Sequence, residues 1–382
     1  MFRLIYFPEA LRFLRFRIRR GIHGYHAYAG DAEHIAEQII GDCWNAEDRF
    51  FQTSANHYPQ FFSRDFGMIT ESLLHLGYRE KVKDTLLYAL SRFQKAGRVT
   101  AVITPRGIPF DYFGQASDSL PFLTRSLVLL DDPVLIQRYH AFLSRQASSY
   151  FHRIIDPKTG LPKKGLHLVG MRDHAVRDQG CYATCMAGML KQNLQKLHIE
   201  SPLQDNDYGS LLLEHYWKED RFLDDLSGYT GFTGDANLMP FYTGIINDKD
   251  RFRQVKEKMK EYRLEQPFPL RYFNEQTKEH RMFWTEFFVP NWEMDTVWGH
   301  LGMMFLETVA RLDPEGLETD LVAWKRQIEK DQTFIEVHHP DGKPYRSLFY
   351  AADEGMSWAA IFLRLWRNHG KTGHEERVAG KV

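Results

Sequence analysis

The chain has few cysteines, almost no net charge and no long hydrophobic run. Its 382 residues include three cysteines, and 49 basic residues balance 50 acidic ones to give a formal net charge of −1. Three cysteines form neither a disulfide framework nor a zinc motif, and the balanced charge argues against nucleic-acid binding. No segment approaches the roughly 18 apolar residues needed to span a bilayer. We therefore expect a cytoplasmic protein without a metal, a cofactor, a nucleic-acid partner or a membrane span.

What the chain does have is a basic amphipathic N-terminal segment, residues 1–23, followed by one long unit, residues 24–382, without a linker or a composition shift. Arginines interrupt every apolar stretch of the first segment, unlike the pattern of a signal peptide. The pattern also fits a helix on a membrane surface. We expect instead that it packs along the body of the protein or joins a homo-oligomer interface.

Six acidic positions, spaced by 53, 60, 57, 60 and 58 residues, each open a run of small and apolar residues. They are Asp65, Asp118, Asp178, Asp235, Asp295 and Asp353. A period of this size indicates a repeated supersecondary unit. Amphipathic segments alternate with these runs, near residues 32–42, 79–95, 133–152, 206–218, 249–263 and 315–330. Twelve alternating inner and outer helices predict an all-α fold, an (α/α)6 barrel built as a six-hairpin toroid.

The connections from outer to inner helices are mostly long and rich in aromatic, arginine and carboxylate side chains. They span residues 43–64, 96–117, 153–177, 219–234, 264–294 and 331–352. Long loops in a compact domain are usually functional. Because all six lead to the N-termini of inner helices, the functional site is expected at that end of the barrel.

The repeated aspartates have a structural interpretation, because Asp is a favoured N-cap that accepts an orphan backbone N–H. Capping is expected at Asp118, Asp178, Asp235 and Asp295. Asp65 differs because it follows Arg64 and an aromatic stretch that ends at Phe62. An arginine fork beside a carboxylate and aromatic rings suits the vicinal hydroxyls of a sugar.

Hydrolysis of a glycosidic bond needs two carboxyl groups, one to protonate the leaving oxygen and one to activate water or attack carbon. Asp173 lies in the loop before the third inner helix, ahead of the expected cap, so capping does not account for it. Glu336 lies in an apolar stretch before the last inner helix, where a raised carboxyl pKa is expected. The rivals in these regions are Asp178 for the acid and Glu354 or Asp341 for the base.

Aromatic side chains at the same end suit sugar binding, since aromatic rings stack on the C–H faces of pyranoses; core packing is the alternative. The tryptophans concerned are Trp284, Trp292, Trp298 and Trp358. Four histidines also fall near this end: His57, His174, His300 and His338. Two of them facing each other would suit proton transfer on a free sugar, which is isomerase chemistry.

The helix pattern and several motifs resemble the (α/α)6 glycosidases. The nearest resemblance is to glycoside hydrolase family 63, in its mannosylglycerate and glucosylglycerate hydrolase branch, with similarities to family 37 trehalases and family 15 glucoamylases. Residues 63–67, Ser-Arg-Asp-Phe-Gly, resemble the Trp-x-Arg-Asp-x-Gly segment that holds the non-reducing sugar in glucoamylases. Residues 235–240, Asp-Ala-Asn-Leu-Met-Pro, resemble a helix start common to these barrels.

Two further motifs resemble the segments that carry the catalytic pair. Residues 170–177 are similar to the Ser-Gly-x-Asp-x-Ser-x-Arg segment, which implies Asp173 as general acid with Arg177 near the substrate. Residues 336–342 are similar to the Glu-x-Tyr-x-Pro-x-x-Gly segment, which implies Glu336 as general base. Residues 355–360, which contain Trp358, resemble the Gly-Phe-x-Trp-Thr segment that follows it.

The resemblance implies an inverting glycoside hydrolase whose two carboxyl groups stand about 6.5–9.5 Å apart, acting on a small carbohydrate. The residues expected to hold the substrate are Arg64, Asp65, Phe62, Asp118, Arg177, Trp284, Trp292, Trp298 and Trp358. A weaker resemblance to family 100 invertases would make Asp118 the acid. The alternatives are a sugar epimerase or isomerase that uses a histidine pair and a non-catalytic sugar-binding barrel.

Overall fold

The computed structural model describes residues 6–112, 114–274 and 287–370, and the side chains of residues 6–10 lie outside this description. This part of the chain is mainly helical. Its helices are α1 (Tyr6–His23), α2 (Ala32–Asp42), α3 (Ser63–His75), α4 (Arg79–Ala96), α5 (Ser119–Leu130), α6 (Pro133–Ile154), α7 (Cys181–Lys196), α8 (Tyr208–Leu211), α9 (Gly234–Tyr242), α10 (Lys249–Glu261), α11 (Gly299–Leu312), α12 (Leu317–Asp331) and α13 (Ala359–His369).

Short strands tie the connecting loops together. They are β1 (Trp44–Asn45), β2 (Phe50–Phe51), β3 (Phe61–Phe62), β4 (Val102–Ile103), β5 (Pro109–Phe110), β6 (Gln115–Ala116), β7 (Leu168–Val169), β8 (Trp217–Lys218), β9 (Arg221–Phe222), β10 (Val297–Trp298) and β11 (Val337–His338). The antiparallel pairings are β1 with β2, β3 with β4, β4 with β5, β8 with β9 and β10 with β11, while β6 and β7 pair in parallel.

Six helices form a closed ring of contacts. Helix α3 packs on α5, α5 on α7, α7 on α9, α9 on α11, α11 on α13, and α13 returns to α3. Helices α2, α4, α6, α8, α10 and α12 each pack against at least one of these ring helices. All nine residues of α9 are buried, whereas α10 buries four residues at helical spacing, Lys256 among them, and leaves its other charged residues at least partly exposed. Apolar surface on all sides therefore marks the ring, and amphipathic surface marks its periphery.

The peripheral helices follow the sequence prediction closely, with one exception. The prediction for residues 32–42 matches the bounds of α2. The predicted starts of α4, α6 and α10 are also observed, and the remaining bounds of α4, α6, α10 and α12 differ by one or two residues. The exception is 206–218, where α8 is short, a π-helical turn covers Leu212–Tyr216, and β8 begins at Trp217. Helix α11 starts later than expected, because residues before it form β10 and pair with β11. Helix α13 also starts later, after isolated bridges at Glu354 and Met356.

The prediction that four repeated aspartates cap the ring helices is wrong. Asp118 occupies the N-cap position of α5 but makes no capping hydrogen bond, and the cap positions of α7, α9 and α11 are held by Gly180, Thr233 and Trp298. The physical reason is that partners from other parts of the chain hold these carboxylates away from the helix ends. Asp118 and Asp235 bind arginine side chains, and Asp178 accepts the backbone N–H of Gly165.

Aspartate does cap four peripheral helices, including the short α8, where Asp207 accepts the N–H of Ser210 at 3.2 Å. The carboxylates of Asp31, Asp132 and Asp248 accept the N–H of the residue three positions on, at 3.0, 2.9 and 2.9 Å, in α2, α6 and α10. In α6 and α10 the capping carboxylate also forms an ion pair through its other oxygen, Asp132 with Lys83 and Asp248 with Arg251, at 2.6 Å each. Aspartate capping is thus found on peripheral helices, which carry no part of the central site.

Helix α1 lies against the body of the protein through one face. Phe16 on that face is buried, and the rings of Phe13 and Phe16 lie 4.2 and 4.3 Å from the ring of His57. Arg20 is buried and forms an ion pair with Glu354. Within the described ranges, neither α1 nor any other helix is long and apolar enough to cross a membrane.

Candidate active site

The loops that precede several ring helices surround a cavity of about 130 Å³. It brings together eight residues that the sequence predicts for the site. They are Phe62, Arg64, Asp65, Asp173, Trp292, Trp298, Glu336 and Trp358. Further lining residues include Phe13, Tyr58, Tyr112, Met171, His174, Glu293 and His300. Both proposed catalytic carboxyl groups therefore face one space.

Two predicted residues, Asp118 and Arg177, do not line this cavity. Asp118 lies behind Arg64, where its carboxylate accepts hydrogen bonds from Arg64 Nη1 at 3.2 Å and Tyr182 Oη at 2.8 Å. Arg177 points into a buried ion network. Trp284 lies outside the described residues.

Strand pairing positions Glu336. β10 and β11 pair in antiparallel register, so Trp298 lies opposite Val337, the residue after Glu336. The backbone N–H of Gly299 donates to the Glu336 carbonyl at 2.9 Å. A side chain at Gly299 would place a Cβ 2.8 Å from the ring of Phe334, so glycine is required for this close approach of α11 to the Glu336 loop.

The Glu336 carboxyl group is 3% exposed as a residue and is held through one oxygen. Oε2 accepts the Tyr350 hydroxyl at 2.5 Å and the backbone N–H of Asp353 at 2.9 Å. The Tyr350 and Tyr58 hydroxyls are 2.7 Å apart, which extends the hydrogen bonds into a chain. Burial raises the pKa of Glu336 to about 8, although these donors favour the ionised form.

Asp353 holds the loop beneath Glu336 in place. Its carboxylate accepts the backbone N–H groups of His57 and Tyr58, at 3.1 and 3.2 Å, and the hydroxyl of Ser54. Burial raises the pKa of Asp353 to about 7. The residue opens the last repeat of the sequence, yet it organises the loop 53–58 rather than the helix that follows.

Asp173 has a different environment. Its side chain is 29% exposed and lies 3.4 Å, Oδ1 to Nη1, from Arg64. Burial disfavours the charge of Arg64, but the carboxylates of Asp173, Asp118 and Asp65 outweigh this and raise the pKa of Arg64. Arg64 therefore stays charged and holds Asp173 on one side of the cavity.

Glu293 fixes the backbone of the Asp173 loop. Its Oε1 accepts the N–H of Asp173 at 2.6 Å, and its Oε2 accepts the N–H of His174 at 2.8 Å. Glu293 is buried, and burial raises its pKa to about 7. Sequence reasoning missed this residue. The sequence signal that could have identified Glu293 is its position between Trp292 and Asp295, in a long loop rich in aromatic residues.

A buried network of four charges anchors the same loop from behind. Arg172 donates to Asp235 Oδ2 at 3.0 Å and to Asp224. Arg177 donates to Asp224 Oδ2 at 3.2 Å and to Asp235 Oδ2 at 2.6 Å. Removing one member of such a network leaves a buried charge unpaired. Asp173 therefore lies on a loop that is tied to α9 on one side and to Glu293 on the other.

Tryptophans form one wall of the cavity. Trp292 and Trp298 meet edge to face with ring centroids 4.7 Å apart, and the ring of His300 lies 4.9 Å from both Trp298 and Trp358. Trp358 also donates its indole N–H to Asp65 Oδ1 at 3.0 Å. Burial raises the pKa of Asp65 to about 6. The wall combines flat apolar faces with a buried carboxyl group.

The histidines separate into two pairs. His174 and His300 line the cavity, whereas His57 packs under α1 and His338 bonds Asp331 Oδ2 through Nε2 at 2.8 Å. His300 Nε2 lies 2.9 Å from the Tyr272 hydroxyl. Burial lowers the pKa of His300 well below its usual value, so its imidazole is neutral near pH 7.

The rival carboxyl groups lie elsewhere. Asp178 accepts the N–H of Gly165 at 2.7 Å, Glu354 is paired with Arg20, and Asp341 is paired with Lys343 at 2.8 Å on the surface. None of the three rivals is among the residues described around the cavity. The geometry therefore favours Asp173 and Glu336 over them.

Comparison with known proteins supports the fold. No protein-family model and no curated protein matches this chain. The mannosylglycerate hydrolase of glycoside hydrolase family 63 from Thermus thermophilus, in complex with glucose, is similar with a TM-score of 0.60 at 14% identity, covering 88% of this chain and 100% of that one. A glycosidase variant in complex with glucose is similar with a TM-score of 0.65 at 11% identity, covering 94% and 97%.

A rhamnosidase from Klebsiella oxytoca with rhamnose bound is also similar, with a TM-score of 0.64 at 11% identity over 90% of this chain and 65% of that one. The chain therefore has the fold of glycoside hydrolases of the family 63 type. At identities this low, the likeness establishes the fold, and the resemblance expected from the motifs is confirmed at that level.

Proposed function

We propose that this chain, with its family 63-type fold, is an inverting glycoside hydrolase that removes a terminal sugar from a small glycoside or short oligosaccharide. The observation that carries the proposal is that Asp173 and Glu336, far apart in the sequence, line one cavity with Trp292, Trp298 and Trp358. The closed ring of helices and its peripheral partners support an (α/α)6 barrel.

The roles follow from the resemblance. Asp173 protonates the glycosidic oxygen, and Glu336 takes a proton from the attacking water. Glu336 Oε2 is occupied by Tyr350 and Asp353, so Oε1 is the oxygen that receives this proton. Room for that water requires carboxyl groups about 6.5–9.5 Å apart, the separation typical of inverting enzymes.

The electrostatics support the opposite assignment, with Glu336 as the general acid and Asp173 as the general base. A pKa of about 8 keeps a proton on Glu336 at neutral pH, and a general acid is usually the carboxyl group whose pKa is raised. Asp173, by contrast, lies 3.4 Å from the guanidinium group of Arg64. An experiment therefore decides which of Asp173 and Glu336 is the acid and which is the base.

The dependence of the cleavage rate on the leaving group distinguishes the two assignments. Loss of the general acid slows cleavage of a phenyl glycoside far more than that of a 2,4-dinitrophenyl glycoside, because the second leaving group needs no proton. Loss of the general base slows both equally. We expect Asp173→Asn to show the first pattern and Glu336→Gln the second; the reverse would exchange their roles.

The control variant is Asp341→Asn, a surface acid in the Glu336 loop. A screen of α- and β-linked disaccharides and glycosylglycerates, with the product anomer read by NMR, tests inversion. If both carboxyl variants cleave at the parent rate, the assignment is wrong. A parent that binds sugars but cleaves nothing in the screen would support a non-catalytic binding barrel.

The sugar is proposed to lie between the tryptophan wall and the charged group formed by Arg64 and Asp65, with Phe62 at the opposite rim. Asp118 and Arg177 act indirectly, through Arg64 and the Asp173 loop respectively. Trp284 remains a predicted contact. This arrangement gives one planar apolar face and one hydroxyl-binding face, as a terminal pyranose requires.

The second candidate is a sugar isomerase, because His174 and His300 both line the cavity. The neutral His300, bonded to Tyr272, could accept a proton from a free sugar. Proton exchange from solvent deuterium oxide into free aldoses, followed by NMR, tests this function. Exchange that is lost in His300→Gln and kept in Glu336→Gln would favour isomerisation over hydrolysis.

A cytoplasmic location is also proposed. Cys43, Cys181 and Cys185 are all buried free thiols, as in proteins of reducing compartments. Fractionation of cells that express the full chain, with markers for each compartment, tests the location. Recovery in a secreted fraction would contradict it.

A further inference from the structure

Exposed apolar side chains cluster on one part of the molecule. Among the described residues, ten large hydrophobic side chains are exposed, and eight of them lie on α1 or on two loops beside it. They are Leu11, Leu14, Ile18, Ile22, Phe287, Phe288, Leu348 and Phe349. We call these eight residues the apolar surface. Single exposed hydrophobic residues are ordinary, but a contiguous set of this size marks an interaction site.

Helix α1 has two different faces. Phe13 and Phe16 pack inward on His57. Leu11, Leu14 and Ile18, followed by Ile22, are spaced by three and four residues and form one exposed stripe on the other side. Burial against the body therefore explains only Phe13 and Phe16 among the six large apolar residues of 11–23.

Hydrogen bonds join the helix to the two loops. Arg17 Nε donates to the carbonyl of Ser347 at 3.1 Å, and Ser347 Oγ donates to the carbonyl of Phe288 at 3.1 Å. The ring of Phe288 lies 5.4 Å from those of both Phe287 and Phe349. The stripe and the loops are thus neighbours and form one continuous surface.

Positive charge accompanies this surface. Arg15 and Arg19 are exposed next to the stripe on α1, and Arg346 is exposed beside Leu348. Residues 11–23 contain five arginines and no acidic residue. A helix with an aliphatic stripe flanked by arginines suits the boundary between the headgroups and acyl chains of an anionic bilayer.

The geometry points to an anionic phospholipid surface as the partner of the apolar surface, on which the protein docks through α1 and the loops at 287–288 and 347–349. Aliphatic and phenylalanine side chains would enter the acyl boundary while the arginines contact headgroup phosphates. The contact is peripheral. It places the lipid beside the cavity, because Phe13 of α1 lines the cavity from the inner face of the same helix.

A second copy of the chain is the competing occupant, and the charges disfavour it. A symmetric dimer brings the same patch of each copy together. Arg15 and Arg19 of both copies would then share one interface without an acidic residue in 11–23 to pair them. Anionic headgroups neutralise these charges, whereas a second copy doubles them.

Vesicle sedimentation of the full chain tests the proposal. The vesicles are phosphatidylcholine alone, or phosphatidylcholine and phosphatidylglycerol in equal parts, each at low and high salt. We expect binding to the anionic vesicles, several-fold weaker binding at high salt, and little binding to the neutral ones. Light scattering on the same samples reports the oligomeric state.

Variants assign the binding to named side chains. Leu14→Gln with Ile18→Gln should weaken partitioning into anionic vesicles at least roughly tenfold, since two aliphatic side chains no longer enter the acyl boundary. Arg15→Gln with Arg19→Gln should weaken it by roughly 30-fold and reduce its salt dependence. The control is Val134→Gln on α6, which is 78% exposed and lies outside the apolar surface.

All substituted side chains are exposed, so circular dichroism should match the parent. The proposal is overturned if the anionic vesicles fail to bind the parent or if either double variant binds as well as Val134→Gln. A dimer that dissociates in Leu14→Gln with Ile18→Gln, without vesicle binding by the parent, would assign the surface to a second copy. Equal binding to neutral and anionic vesicles would contradict an anionic surface as the partner, because the arginines would then contribute nothing to binding.

Discussion

Asp173 and Glu336 line the same cavity, yet the protein surrounds them very differently. Asp173 is partly exposed, faces the cation of Arg64, and is positioned through backbone N–H groups that bind Glu293. Glu336 is buried beneath the Tyr58–Tyr350 hydroxyl chain, with a pKa raised to about 8. The contrast shows that one cavity can hold two carboxyl groups in environments that differ in burial and in neighbouring charge, and such differences are what give paired carboxyl groups separate roles.

The largest expected effect comes from removing either carboxyl group. Asp173→Asn and Glu336→Gln should each reduce kcat on an unactivated glycoside by about 1,000-fold, because general acid–base groups contribute at that scale. Steady-state kinetics measure it, with folding checked by circular dichroism. If one variant keeps the parent rate, only the other side of the cavity carries the chemistry.

Breaking the support of the Asp173 side comes next. Glu293→Gln should lower kcat by roughly 30-fold, because a misplaced catalytic group loses much of its advantage, while KM changes little. An amide can accept only one of the two N–H bonds, and its NH2 group would face the other donor. Glu293→Asp, which keeps the charge but shortens the reach, should recover part of the rate.

A purely structural role for Glu293 would predict a different result. The melting temperature of Glu293→Gln would then fall, while kcat per folded molecule stayed at the parent value. That result would show that Asp173 is correctly placed without Glu293. The proposed difference between the supports of Asp173 and Glu336 would then be lost.

A smaller effect should follow from changing the Glu336 side. Tyr350→Phe removes a donor that favours the ionised carboxylate, so the pKa of Glu336 should rise further. If Glu336 is the base, the pH at which kcat/KM reaches half its maximum should move upward, with a roughly tenfold loss near pH 7. Tyr345→Phe is a matched control, since its hydroxyl bonds the Pro290 carbonyl at 2.8 Å instead. A downward or absent shift would contradict the hydrogen-bond account.

The last expected effect concerns stability rather than activity. A glutamate whose pKa is about 8 in the folded state and near 4.5 unfolded binds more protons when folded, so its contribution to the free energy of unfolding falls as pH rises from about 4.5 to 8, by at most about 1.4 kcal/mol per pH unit. Glu336→Gln cannot titrate and should lose less stability than the parent between pH 5 and 8. If the melting temperatures of Glu336→Gln and the parent change in parallel with pH, this expectation is wrong.

The lesson on prediction comes from the helix N-termini. Aspartate caps α2, α6 and α10 as local rules predict, but the aspartates that head the ring helices bind arginines or loop backbone instead. Local propensity holds even at α6 and α10, where the capping carboxylates also pair with Lys83 and Arg251. At the ring, Arg64 on α3 and the loop residues Arg172 and Arg177 are brought to the carboxylates by the tertiary structure, which no local rule anticipates, and charge pairing takes the place of a capping bond.

The same distinction separates the predicted cavity residues from the missed ones. Arg64, Asp65, Asp173 and Glu336 belong to short motifs that the sequence displays. Glu293 belongs to none of them, because its role depends on two backbone N–H groups that lie 120 and 119 residues away in the chain. Contacts over such distances depend on how the loops cross above the ring.

The sequence by itself determined the alternation of buried and amphipathic helices, the end at which the long loops meet and two acids to test, because periodicity and loop length are local properties. Only the tertiary structure decided which carboxylates cap, which pair with arginines and which face the cavity. It also placed the apolar stripe of α1 on the solvent-exposed side of the helix, although the sequence of α1 is equally compatible with full burial. These outcomes depend on burial and on partners brought from distant loops, and both exist only once the ring has closed.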